Sequence, residues 1–417
     1  MGSARRPLRL VTWLVMAVAV LPACTLTLGE RTEPEAPSSV PASTSVEPDP
    51  SVAAAEPHGG RLAVVESDGT LYTVRPDGSD RTELIGGGDP AVTAVQPAWS
   101  PDGSKLAWVV RNASAGPTSG AIAVAGPRGE DLVVSPAPFA PYYLSWDPTG
   151  TRLAFLGSSG DPEVPVEMGV LEVGAESDAP RPVAGGSPFF YFAWAPDGRS
   201  VLAHAGYGRL EEIALTGRST TVIDRPGLFP TPAWSADGRT LVYAERGSGG
   251  VQRLVAAVGG RDPKVLEEGP GAISFVLSPD GGSVAYQMLG EADSDFFDRR
   301  PTQPGDGVRV VDLRSGRTRR ATSIRALTFW WSPDGGRLLA LAPRPAAPAA
   351  IPFLWQVWDG RRTSAVAGQH SPTIEVLRDY APFFTQYAQS TTPWAPDGSA
   401  FAFAAEGPEG SGQIVVQ

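Results

Sequence analysis

Cysteine, histidine, lysine and asparagine are nearly absent from this 417-residue chain: Cys 1 and His 3 in all, lysine only at 105 and 264, asparagine only at 112. A single thiol, Cys24, excludes a disulfide within the chain. The histidines (His58, His204 and His370) fall in a linker, a strand and a loop, too scattered to predict a zinc site or a His-based triad. No GxSxG, P-loop or HExxH pattern occurs, and no GxGxxG opens a helix. No catalytic residue, cofactor or metal is therefore assigned, and the expectation is a protein that is not an enzyme. Long helices are disfavoured as well, because Gly 48 and Pro 42 demand frequent turns.

The charge balance is lopsided, with a net −11. Arg5, Arg6 and Arg9 precede the apolar run Leu10–Leu21, so the rest of the chain is more acidic still. An acidic body repels phosphate backbones, which argues against nucleic acid as a partner.

Residues 1–23 have the basic start and short apolar stretch of a secretory signal peptide, too short to remain as a membrane span. The Leu21-Pro22-Ala23-Cys24 that follows resembles the lipobox of bacterial lipoproteins, although Pro22 departs from the usual small residue. The resemblance implies lipidation of Cys24, a mature chain that begins there, and a stable membrane anchor made of several acyl chains. Residues 24–60 form a Pro-, Ser- and Glu-rich tether that buries too little apolar surface to fold and is expected to be disordered. Residues 61–417 remain as the folded domain.

A repeat dominates that domain. AWSPDGSKLAWV (98–109), SWDPTGTRLAFL (145–156), AWAPDGRSVLAH (193–204), AWSADGRTLVYA (233–244), VLSPDGGSVAYQ (276–287), WWSPDGGRLLAL (330–341) and PWAPDGSAFAFA (393–404) align without gaps. In each, an aromatic or apolar residue ends one strand, a turn follows, and an alternating apolar run starts the next strand. Asp102-Gly103, Asp197-Gly198, Asp237-Gly238, Asp280-Gly281, Asp334-Gly335 and Asp397-Gly398 are the structural turns, with Thr149-Gly150 in the variant copy. The aspartate caps its own backbone and the glycine takes positive φ. The spacing of the copies is that of four-stranded blades.

These motifs resemble the TolB-type, WD40-like β-propeller repeat of bacterial envelope proteins, over nearly all of residues 61–417. The resemblance implies an all-β propeller that acts as a binding scaffold outside the cytoplasm. Strand counting gives three strands before the first motif, six complete blades, and a first, second and third strand at the end, which favours eight blades over seven with one incomplete. The stretch 373–398 looks like an insertion in which a short helix precedes the last motif.

Two features remain as candidate sites. Glu291, Asp293, Asp295 and Asp298 form an acidic cluster read as a solvated loop, since calcium needs six to eight oxygen ligands. Aromatics recur just ahead of the innermost strands, and Tyr142, Tyr143, Phe189, Phe190 and Phe229 are the candidate binding rim at the mouth of the central channel. The expected function is a lipid-anchored, monomeric, extracytoplasmic scaffold that docks a protein partner or an envelope glycan at one face. The alternative is a small-molecule or sugar binder, or an enzyme, with its site in the central funnel.

Overall fold

The computed structural model describes residues 60–417 apart from 87–90, 117, 175–178, 184–187, 207, 228–229, 290–306, 344–352, 367–371, 374–375, 377–379 and 407–411. The chain divides into units 1–55 and 56–417. The expected signal peptide, Cys24, the expected tether up to residue 59, His58, His370, Phe229 and the acidic cluster lie outside the described residues.

The domain is a β-propeller. Six antiparallel sheets of four consecutive strands follow one another from Val92 to Ala365, numbered here two to seven. Sheet one, ahead of them, has three strands (Leu62–Val65, Leu71–Val74, Thr82–Ile85), and sheet eight pairs Ala402–Glu406 with Gly412–Val416. An isolated bridge between Trp394 and Phe401 marks the innermost position of sheet eight. The strands thus fall as the repeat spacing predicts, in accord with a ring of seven or eight blades.

The motif explains why each sheet begins as it does. All seven motif glycines sit at φ between 67 and 70°, where a side chain is strained. Six motif aspartates accept the N–H of the residue two positions on, at 2.9–3.1 Å. Ser100, Ser235, Ser278 and Ser332 tighten the turn further. Each hydroxyl donates to that aspartate at 2.5–2.6 Å and accepts the N–H five residues on at 2.8–3.0 Å. The Ser100 hydroxyl is the first cause of the fall of the Asp102 pKa to about 2.

In sheet three the roles are exchanged. Asp147 stands in the serine position and accepts from Thr151 N and Arg152 N at 2.8 and 2.9 Å, while the Thr149 hydroxyl donates to it at 2.5 Å. The same bond survives with its direction reversed. This is why the Asp-Pro-Thr departure leaves the blade unchanged.

The motif tryptophan ties blade to blade. The Trp146, Trp194, Trp331 and Trp394 indole N–H groups donate to Ala98 O, Ser145 O, Val276 O and Trp330 O of the preceding blade, at 2.9–3.4 Å. Trp234 departs from the rule, with its indole nitrogen buried and unpartnered among the described residues. Successive turns also lean on each other: a Cβ placed on Gly150, Gly238 or Gly398 would lie 3.4–3.7 Å from Pro101, Pro196 or Pro333 of the blade before. Gly60 stands in a similar relation to Pro396, at 3.7 Å, which sets the start of sheet one beside sheet eight.

Candidate docking face at the channel mouth

The first strand of each complete sheet turns its inner edge to the propeller axis, where it has no strand to pair with. Residues 380–391 fill that space at one mouth. Ala381–Phe383 is a 3-10 turn with Pro382 at its start, and Phe384–Tyr387 is a single turn of α-helix whose four residues are all buried. Proline suits the first turn of a helix, where its missing N–H is no loss.

Six blades hold this plug. The Gln386 amide spans the backbone of Phe192 in sheet four, accepting from its N–H at 2.7 Å and donating to its carbonyl at 2.9 Å. A glutamine side chain thereby supplies the pairing that a neighbouring strand would. Tyr143 of sheet three donates its hydroxyl to Gln386 O at 3.0 Å and sets its ring edge-on to Phe192 and Tyr387, at 5.6 and 5.5 Å. Gln96 of sheet two donates to the Tyr387 hydroxyl at 2.8 Å from a β-bulge where its own φ is 58°. Ahead of sheet five, Thr231 meets Thr385 at 3.4 Å, and Pro232 O accepts from the Gln389 amide at 2.6 Å. Phe384 packs on Phe329 of sheet seven with ring centres 4.8 Å apart, in one apolar cluster with Val276 of sheet six.

The chemistry of this mouth is apolar and non-titrating. Burial pushes the Tyr143 phenol up to about 12 and carries Tyr142, Tyr191, Tyr380 and Tyr387 higher still, so all five stay neutral. His204 lies in the second strand of sheet four, buried, with Nε2 3.1 Å from Pro230 O. Burial pulls its pKa down to about 4, so it is neutral at physiological pH. Among the described residues no group of three or more His, Cys, Asp or Glu could hold a metal ion.

The predicted rim is corrected in part. Tyr143 and Phe189 are buried, 2% and 5% exposed, because the plug roofs one and the neighbouring blade covers the other. Tyr142 and Phe190 are half-buried, and Phe229 is outside the described residues. The residue that does project is Phe383 of the plug, 46% exposed, with its ring 6.4 Å from that of half-buried Tyr191. Sequence reasoning placed a short helix ahead of the last motif but missed Gln386. Its one sequence signal is a polar residue between bulky ones in a stretch that breaks the strand pattern.

No protein-family model matches the chain, and no curated protein does. Among solved structures it is similar to hydrazine synthase from Kuenenia stuttgartiensis, with 14% identity, TM-score 0.45, and 78% of this chain and 95% of that one covered. It is similar also to TolB from Acinetobacter baumannii (13% identity, TM-score 0.39, 78% and 76% covered). A putative TolB from Agrobacterium tumefaciens gives 16% identity and TM-score 0.39 over 66% and 96% of the two chains. These are likenesses of fold, and the sheets themselves define a β-propeller.

Proposed function

We propose that this chain is an extracytoplasmic docking scaffold, anchored to the membrane by lipid on Cys24, that receives a protein partner at the plugged mouth and catalyses no reaction. One observation carries the choice of face. The chain's own segment 380–391 occupies the mouth where a funnel site would open, and it leaves an aromatic, Phe383, projecting beside Tyr191. A funnel-site ligand needs room that the plug takes, whereas aromatic side chains on a rigid base suit a protein contact. A glycan stacked on Phe383 uses the same surface.

A photo-crosslinking amino acid at position 383, compared in intact cells with one at exposed Val222 on the periphery of sheet four, tests the face. A discrete protein adduct at 383 alone supports it, and equal adducts at both positions overturn it. The anchor is tested separately. A fatty-acid analogue should label the wild type and leave Cys24→Ala unlabelled, and equal labelling ends that part of the reading.

A further inference from the structure

The outer edge of sheet six departs from the acidic character of the chain. Residues 307–325 hold Arg309, Arg314, Arg317, Arg319, Arg320 and Arg325 against one carboxylate, Asp312, in a protein of net charge −11. The Asp312 carboxylate is already engaged by the backbone and hydroxyl of Ser315, at 2.6 and 2.8 Å. Arg309 is paired with Glu267 at 2.9 Å, but Arg314, Arg317 and Arg320 are exposed and form no ion pair among the described residues.

Neighbouring blades extend the patch. A Cβ on Gly316 would lie 3.2 Å from Lys264 Nζ of sheet five. On the other side, Arg319 donates to Gly360 O at 2.7 Å, which brings it beside exposed Arg361 and Arg362 of sheet seven. Two shallow grooves, of about 350 and about 380 Å³, flank the outermost strand Thr318–Arg320, and Arg320 lines both. The second groove holds Thr322, Ser323, Thr363 and Gln356, whose side-chain oxygen is buried without a hydrogen-bond partner.

We infer that this edge of sheet six is a docking surface for anionic phospholipid headgroups. The guanidinium forks match phosphate oxygens. A protein partner is disfavoured because protein interfaces centre on apolar or aromatic anchors, and residues 307–343 expose no large hydrophobic side chain. The inference rests on the proposed membrane location. Such a surface turns the rim of sheets five to seven toward the bilayer.

The test uses the full chain carrying Cys24→Ala, so that lipid attachment plays no part and its failure is read separately. Co-sedimentation with phosphatidylcholine vesicles is compared with vesicles containing one third phosphatidylglycerol. Binding to the anionic vesicles alone, weakened by salt, is expected. An arginine near an anionic surface contributes roughly fivefold, so Arg314→Glu/Arg317→Glu/Arg320→Glu should lose about a hundredfold or more. The control triple Arg199→Glu/Arg218→Glu/Arg225→Glu removes equally exposed arginines of sheet four and its margin, and should change binding less than twofold. Unchanged melting of both triples shows that folding is intact. Equal losses in the two triples, equal binding to neutral vesicles, or binding to polyglutamate but not to vesicles would each overturn the inference.

Discussion

The turn end of the ring and its plugged mouth follow opposite rules. At the turn end of the ring seven motifs repeat one backbone turn, in which the glycine N–H donates to the carbonyl three residues back and the glycine sits at nearly the same φ. At the plugged mouth nothing repeats: Gln96, Tyr143, Phe192 and Pro232 each make a different bond to one segment. A ring of similar blades needs identical corners to stay closed. A surface that one partner can recognise needs asymmetry, and here a single non-repeated insertion supplies it.

Breaking the plug should cost most. Gln386→Leu leaves the Phe192 N–H and carbonyl buried and unpaired, a loss of about 3 kcal/mol at one to three per group. Denaturant unfolding measures it, and a change below the experimental error would mean that the plug only rests on the blades.

His204 gives sheet four a pH dependence. Its folded pKa of about 4 lies below the ordinary 6.5, so folding favours the neutral form. The stabilisation is complete above pH 6.5 and declines as the pH falls from 6.5 towards 4, where the unfolded chain takes up a proton and the folded one does not. The loss amounts to roughly 3 kcal/mol. Stability that stays flat across that window would remove His204 from the buried set.

The turn end should respond more weakly and in a graded way. A Cβ at Gly198 meets positive φ and the Asp147 carboxylate at 2.9 Å, while one at Gly103 meets the same φ and open space. Gly103→Ala is expected to cost about 1 kcal/mol, and Gly198→Ala or Gly198→Val about 2–3. Equal melting temperatures for the two alanine variants would show that the neighbouring carboxylate yields freely.

Smallest of all is the hydroxyl comparison. Sheets four and eight already carry Ala195 and Ala395 where four other motifs carry serine. Ser235→Ala should cost about 1 kcal/mol, and Ala195→Ser should recover a fraction of that in sheet four. If neither moves the unfolding midpoint, the serine bonds merely replace water.

The legibility of the two regions differs for a reason of distance. Ser100, Asp102, Gly103 and Lys105 act on one another within six positions of sequence, so the motif could be read as a turn without any structure. The plug could be read only as an interruption of the pattern. Its bonds join residues 154 to 291 positions apart, and nothing local marks Gln386 as the partner of Phe192 or Gln96 as that of Tyr387. Tyr143 and Phe189 were placed on an open rim because the alternation of a strand tells which residues share a side, not what covers that side.

The amino-acid sequence by itself determined the blade, its turns and the order of its strands, because backbone conformation and side-chain alternation are local properties that each repeat states again. Only the tertiary structure decided which aromatics are roofed and which project, that Phe383 stands at the mouth, and that the outer turn of sheet six lies against Lys264 on one adjoining blade while Arg319 bonds Gly360 on the other. Those outcomes depend on how separate blades are brought side by side, and burial is a property of that assembly rather than of any segment in it.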